Sequence, residues 1–281
     1  MTIVVTGATG HFGRLAVEAL LRRGVPAGQI VAVGRGVEKI KDLADQGVVV
    51  RKASYDDPQS LRAAFAGADR LLFVSGSEVG QRVAQHRNVI AAAKDAGISK
   101  IAYTSAPHAD TSSMILAGEH LATERALAES GIPSVFLRNS WYLENYDLKG
   151  ALEHGLYGAA GKGKLSIATR ADLAEAAAAA IAADGFDQQV YELGGEGVTL
   201  TELAAEVSRQ SGRDVTYTDL SPEKFTEFLV SVGLPEQFAA VLADSDKNAA
   251  AGALYTGTED LQKLLGRPVT PLGDAVRAAL V

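Results

Sequence analysis

Directly behind the apolar stretch Thr2-Ile3-Val4-Val5-Thr6, the chain reads Gly7-Ala8-Thr9-Gly10-His11-Phe12-Gly13 and then settles into helical periodicity. Three glycines at this spacing, between a strand and a helix, restrict the local fold severely. Gly7 serves the tight turn, Gly10 lets the backbone approach a ligand with no side chain in between, and Gly13 lets helix and strand pack closely. The free N–H groups and positive dipole end of the helix then face the turn, which suits a pyrophosphate. The corner is therefore read as a dinucleotide site, with Gly7, Thr9, Gly10, His11, Phe12 and Gly13 as its first contacts.

The rest of the chain repeats the strand-helix alternation. Short runs rich in β-branched and aliphatic residues occur at 2–6, 30–34, 48–52, 70–74, 100–104 and 134–137. Between them, segments such as 12–23 and 82–96 carry apolar residues three and four positions apart, with Gly24 and Gly97 as stops. Each crossover can return the chain to a parallel sheet. The fold class expected is α/β, a Rossmann-type doubly wound parallel sheet with a smaller, mostly helical C-terminal lobe. Residues 1–140 form the dinucleotide-binding part, which 165–195 rejoins through a helix at 171–183 and a strand at 190–193. Residues 141–164 and 196–281 form the substrate-side lobe. The glycine-rich stretch 155–163 reads as a loop, and one further strand is expected at 215–217.

Composition removes several alternatives. With no cysteine there can be no disulfide, thiolate metal site or cysteine nucleophile. The 27 Lys and Arg against 34 Asp and Glu leave a net charge of −7, which disfavours a nucleic-acid backbone as a general partner. The alanine run at 174–183 contains Glu175 and lies between Asp172 and Asp184, so it reads as a closely packed helix and not as a membrane span. Without a signal-like N-terminal segment, the expected location is cytoplasmic. The five histidines lack metal-ligand spacing and no metal is expected; a Gly-x-Ser-x-Gly elbow is absent as well.

The second strand ends Val33-Gly34-Arg35. An NAD-preferring chain commonly places an acid there for the ribose hydroxyls, whereas a guanidinium offers paired donors to a 2′-phosphate. Arg35 thus favours NADP(H), the plainer reading being a solvated loop arginine. Ser75 and Gly76, at the end of the fourth strand, fall where strand ends line the cleft. Gln81 and, with less weight, Gln85 could reach it from the next helix, or could simply be solvated.

Together these residues resemble the atypical short-chain dehydrogenases of the NmrA-like branch, in particular the bacterial NAD(P)H:quinone oxidoreductase 2 type, with triphenylmethane reductases as cousins. The resemblance spans essentially the whole chain. It rests on residues 6–13, on Ser75-Gly76-Ser77-Glu78-Val79-Gly80-Gln81-Arg82 with Gln85-His86-Arg87-Asn88, on Ala102-Tyr103-Thr104-Ser105, and on Arg138-Asn139-Ser140-Trp141-Tyr142-Leu143-Glu144-Asn145-Tyr146. It implies two-electron hydride transfer from NADPH to a quinone without flavin. It places Ser105, Asn139 and Ser140 on the cofactor, Tyr142, His108 and Asn139 at the reaction, and Phe12, His108, Trp141, Tyr142 and Tyr146 on the substrate. Relatives often carry an acid at the position of Ser54 to meet the adenine amino group, and its loss puts that contact in doubt.

The Tyr-x-x-x-Lys pair of ordinary short-chain dehydrogenases is missing: none of the eight tyrosines has a lysine four residues on. Carbonyl reduction by that route loses its support. A quinone makes a smaller demand, because hydride addition gives a delocalised phenolate that water can protonate, so orientation supplies much of the catalysis. Trp141 could serve core packing as readily as substrate, His108 could be a surface loop residue, and the spacing of His120 and Glu124 suggests a simple hydrogen-bonded pair. The second functional reading is an NADP(H)-binding redox sensor of the NmrA type without turnover. The expected partner is a small quinone or related acceptor, and a homodimer stays open.

Overall fold

The computed structural model describes all residues, Met1–Val281. The first six strands are β1 (Ile3–Val5), β2 (Ile30–Gly34), β3 (Val49–Lys52), β4 (Arg70–Phe73), β5 (Lys100–Ser105) and β6 (Ser134–Asn139). They join β9 (Val190–Leu193) in one seven-stranded sheet of order β3-β2-β1-β4-β5-β6-β9. β1 to β6 are all parallel, with β1 paired to both β2 (Ile3 opposite Ile30) and β4 (Ile3 opposite Arg70). Every residue of β1, β2 and β5 is buried, as the strands of a sheet covered on both faces should be. Chain order reverses between β1 and β4, and this is the switch point at which doubly wound sheets open a crevice beyond their strand ends.

The covering helices include α1 (His11–Arg22), α2 (Lys41–Asp45), α3 (Pro58–Phe65), α4 (Arg82–Asp95), α5 (Ile115–Ser130) and α7 (Arg170–Ala182). The alanine-rich α7 buries Ala174, Ala176, Ala177 and Ala178 against α1, β4 and β5. Side chains this small let the helix backbone lie close. Its last carbonyls would be orphans without partners. Arg70 Nη1 donates to the carbonyls of Ile181, Ala182 and Ala183 at 3.0, 2.8 and 2.7 Å, and Lys100 Nζ also reaches Ala183.

By internal contacts the chain forms two compact units. The first comprises 1–105, 119–138 and 170–191, the second 106–118, 139–169 and 192–281. Residues 106–118, read from sequence as part of the dinucleotide-binding half, therefore group with the second unit. The first unit's core includes Val4, Val31, Phe65, Leu71, Phe73, Ile101 and Tyr103.

The second unit has its own core around Leu143, Leu148, Leu165, Leu200, Leu203 and Val276. Helices dominate it: α6 (Leu148–His154), α8 (Leu200–Ser211), α9 (Pro222–Ser231), α10 (Glu236–Ala250), α11 (Glu259–Leu265) and α12 (Leu272–Leu280). The expectation of a loop at 155–163 is corrected. That stretch holds β7 (Leu156–Gly158), paired in parallel with β11 (Tyr217–Asp219), and β8 (Leu165–Ser166) pairs antiparallel with β10 (Gly197–Val198). No helix is long and apolar enough to cross a membrane.

Candidate dinucleotide site and second-unit aromatics

A cavity of roughly 470 Å³ lies beyond the ends of β1 to β4, within the first unit. Gly7, Thr9, Gly10, His11, Phe12, Gly13, Arg35, Ser75 and Gly76, all expected from sequence, line it. Gly7 turns the chain at φ +63°, and Gly10 N–H closes the turn onto the Gly7 carbonyl at 2.9 Å. A Cβ at position 13 would stand 2.3 Å from that same carbonyl, so helix and turn meet at a distance only glycine permits. Gly10 caps α1 without any side-chain hydrogen bond, and the first turn holds no acid. The N–H groups and dipole that begin the helix thus remain available to an anion.

The far wall is fastened by groups the sequence reading did not single out. Thr6 Oγ1 accepts from Val74 N at 3.0 Å, and Ser75 N donates to Thr104 Oγ1 at 2.8 Å. Gly76 is held through both of its backbone polar groups: its N–H donates to His86 Nε2 at 2.9 Å, and its carbonyl accepts from Arg82 Nε at 2.8 Å. His86 is buried, and desolvation together with the Arg82 charge lowers its pKa to about 3. A neutral ring leaves Nε2 as the acceptor and directs the Nδ1 proton to Thr123 Oγ1 at 2.9 Å. His86 stands one residue from Gln85, inside a stretch already matched to the family, and it is a fixed brace.

The adenosine end is polar. Arg35, two-thirds exposed, donates through Nη1 to Glu78 Oε1 at 2.8 Å. Gln85 Nε2 donates to Glu78 Oε2 at 2.9 Å and to Asp56 Oδ1 at 3.1 Å. Lys39, Ser54, Tyr55 and Arg170 complete this part of the lining, and Tyr55 is held by its hydroxyl donating to the Val74 carbonyl at 2.6 Å.

Other expectations are revised. Gln81 is the exposed residue that starts α4 and does not line the cavity; Gln85, one turn later, does. Ser105 is also absent from the lining, because its hydroxyl donates to buried Glu124 at 2.6 Å. Glu124 in turn receives Arg138 at 3.0 and 2.8 Å, while His120 Nδ1 meets the Tyr103 hydroxyl at 2.8 Å. The His120 and Glu124 pair suggested by spacing is therefore not formed.

In the second unit, Ser140 commits both donors to the backbone: N–H to the Leu193 carbonyl at 2.7 Å and hydroxyl to that of Leu254 at 2.9 Å. His108 adopts φ +49°, the only non-glycine residue with positive φ. Its N–H donates to Glu192, and its ring Nε2, opposite the Tyr255 carbonyl at 2.9 Å, must carry the proton. The ring thus braces the backbone at Tyr255, and its Nδ1 lies 3.7 Å from Glu192 Oε1. Asn139 Nδ2 donates to the Tyr142 hydroxyl at 3.2 Å, and Asn139 Oδ1 is buried without a partner. Trp141 and Tyr146 pack on the second core, and Trp141 Nε1 and the Tyr146 hydroxyl are likewise buried without partners at hydrogen-bonding geometry. Burial and the Asp246 charge raise the Tyr146 pKa well above its ordinary value.

Comparison with known proteins places this geometry. The model of the NmrA-like family matches residues 1–264. Quinone oxidoreductase 2 of Escherichia coli K12 is 52% identical over 278 residues, covering 98% of this chain and 97% of that protein. The crystal structure of the NADPH-dependent quinone oxidoreductase QOR2 of Escherichia coli, complexed with NADPH, superposes with a TM-score of 0.94 at 51% identity, covering 99% of both chains. The Citrobacter sp. triphenylmethane reductase complexed with NADP(H) gives 0.93 at 42% identity, over 99% of this chain and 100% of that one.

Proposed function

This chain belongs to the NmrA-like family, and we propose that it is an NADPH-dependent quinone reductase that passes two electrons as hydride directly to the acceptor, without flavin. The observation that carries the reading is the cavity at the β1/β4 switch point, which combines an uncapped helix N-terminus with a guanidinium at the end of β2. The glycine cradle and the donor set fit a dinucleotide: the open N–H groups of α1 take the pyrophosphate, and Arg35 with Lys39 takes the 2′-phosphate. The NADPH complex of the Escherichia coli relative and the NADP(H) complex of the Citrobacter reductase support the same choice.

Bound NADPH supplies the hydride. The chain's residues supply position. His86 and Arg82 hold the Gly76 N–H and carbonyl, which fixes this stretch of backbone in the cavity wall for the cofactor. In the second unit, Asn139 Oδ1 is a buried acceptor suited to an amide N–H, such as the carboxamide of a nicotinamide. Trp141 and Tyr146, half-buried against the second core, and half-buried Tyr142 are the aromatic side chains assigned to a flat acceptor, and Phe12 lines the cofactor cavity. No strongly acidic donor is needed, because the hydroquinone anion left by hydride addition takes its single proton from water.

The test is consumption of NADPH by purified, flavin-free protein with a small quinone, followed at the reduced-nicotinamide absorbance with NADH and protein-free controls. The reading requires quinone-dependent consumption with NADPH well ahead of NADH. Dependence of the rate on added flavin would overturn direct transfer.

A further inference from the structure

The guanidinium assigned to the 2′-phosphate already holds an anion. Arg35 Nη1 is hydrogen-bonded to Glu78 Oε1 at 2.8 Å, and both residues line the cavity. The second oxygen of that carboxylate accepts from Gln85 Nε2 at 2.9 Å, and the same amide reaches Asp56 at 3.1 Å. Glu78 is thus presented to Arg35 by an anchored neighbour and does not meet it by chance on a free surface. A carboxylate and a phosphate offer a guanidinium the same planar pair of acceptors.

Resting on the reading that Arg35 receives the 2′-phosphate, we propose that Glu78 is a displaceable stand-in for that phosphate and sets how far the protein discriminates NADPH from NADH. In the free protein it keeps a long, two-thirds-exposed side chain at the cavity mouth. On binding, the phosphate either expels the carboxylate from the guanidinium or shares it with a like charge, and both cost affinity. A dinucleotide without the 2′-phosphate leaves the pair intact and meets neither cost. Glu78 therefore lowers the preference for NADPH below what Arg35 alone would give. Gln85 provides the landing place, since its amide continues to hold the displaced carboxylate beside Asp56.

The experiment measures calorimetric binding of adenosine 2′,5′-bisphosphate and adenosine 5′-monophosphate to the wild-type protein and to Glu78→Gln. The substitution keeps the size of an exposed side chain and removes its charge, while one of its two acceptor oxygens becomes an NH2 donor. Glu78→Gln should bind the bisphosphate roughly two- to fivefold more tightly, the equivalent of one exposed ion pair, with the monophosphate unchanged. The gain should shrink in high salt. Wild-type protein that binds the two nucleotides alike would overturn the 2′-phosphate reading, and this proposal with it. Wild-type protein that discriminates, beside a Glu78→Gln variant that binds the bisphosphate no better than wild type or gains equally for both nucleotides, would overturn the role of Glu78 alone.

Discussion

Replacing Arg35 with alanine isolates the 2′-phosphate contact. In the structure the side chain is about two-thirds exposed and its one recorded ion pair is with Glu78. Hydrogen bonds to a charged group contribute ~1.5–3 kcal/mol, and from this comes the loss of an exposed pair, ~0.2–1 kcal/mol. A net of about 0.5–3 kcal/mol remains, which corresponds to roughly a two- to hundredfold rise in the NADPH dissociation constant. Deleting Arg35 also leaves the Glu78 carboxylate facing the phosphate uncompensated, so the upper part of that range is expected. NADH has no phosphate there and should change by less than about twofold, since no hydrogen bond to a charge is lost. Fluorescence titration of both cofactors, paired with kcat/KM for each, separates the cases. Equal losses for NADPH and NADH would refute the assignment.

Further consequences concern the scaffold. Gly13→Ala puts a Cβ 2.3 Å from the Gly7 carbonyl, so it should disrupt the turn and reduce dinucleotide binding roughly fivefold or more, on the order of the ~1–3 kcal/mol of an overpacked site; thermal melts with and without NADPH would reveal it as a lost ligand-induced shift. His86→Leu leaves the Gly76 N–H without its acceptor and should cost about 1–3 kcal/mol. Because the folded pKa of His86 is depressed to about 3, its stabilisation is present above the unfolded value of 6.5 and is lost as pH falls between the two; denaturant unfolding of the variant should therefore be less acid-sensitive than wild type. Asp246 behaves oppositely, since burial raises its pKa from 3.8 to about 6, and wild-type stability should fall as pH rises through that window. Asp246→Asn should remove the dependence, its advantage over wild type growing to about 3 kcal/mol near neutrality from a shift of about two units, and a variant whose advantage over wild type is no larger at neutral pH than at pH 4 would contradict this. His108→Ala should only slow quinone reduction modestly, because the ring proton already serves the Tyr255 carbonyl; complete loss of turnover in steady-state assays would restore it as an acid.

What could be read in advance depended on how local the cause was. The turn at 7–13 is set by glycines that touch one another, and the end of β2 carries Arg35 within a few residues of a buried strand, so both were legible. The choice between Gln81 and Gln85 required the phase of α4: Gln81 proves to be its cap, and the turn of helix that follows brings Gln85 to the cavity. Ser105 and Ser140 sit at strand ends that usually serve a ligand, but Glu124 and the Leu193 and Leu254 carbonyls claim their donors from distant parts of the chain. Glycines hid β7 as well, since its partner β11 lies far along the sequence and parallel pairing leaves no hairpin signal.

The central claim, direct hydride transfer from bound NADPH, is tested most directly by a single-turnover experiment on flavin-free protein loaded with NADPH deuterated at the transferred position and mixed rapidly with a quinone. The account predicts oxidation of the bound cofactor with a primary isotope effect and no flavin absorbance at any stage. Bound NADPH that stays reduced in the presence of several quinones would contradict it and would make the chain a dinucleotide sensor.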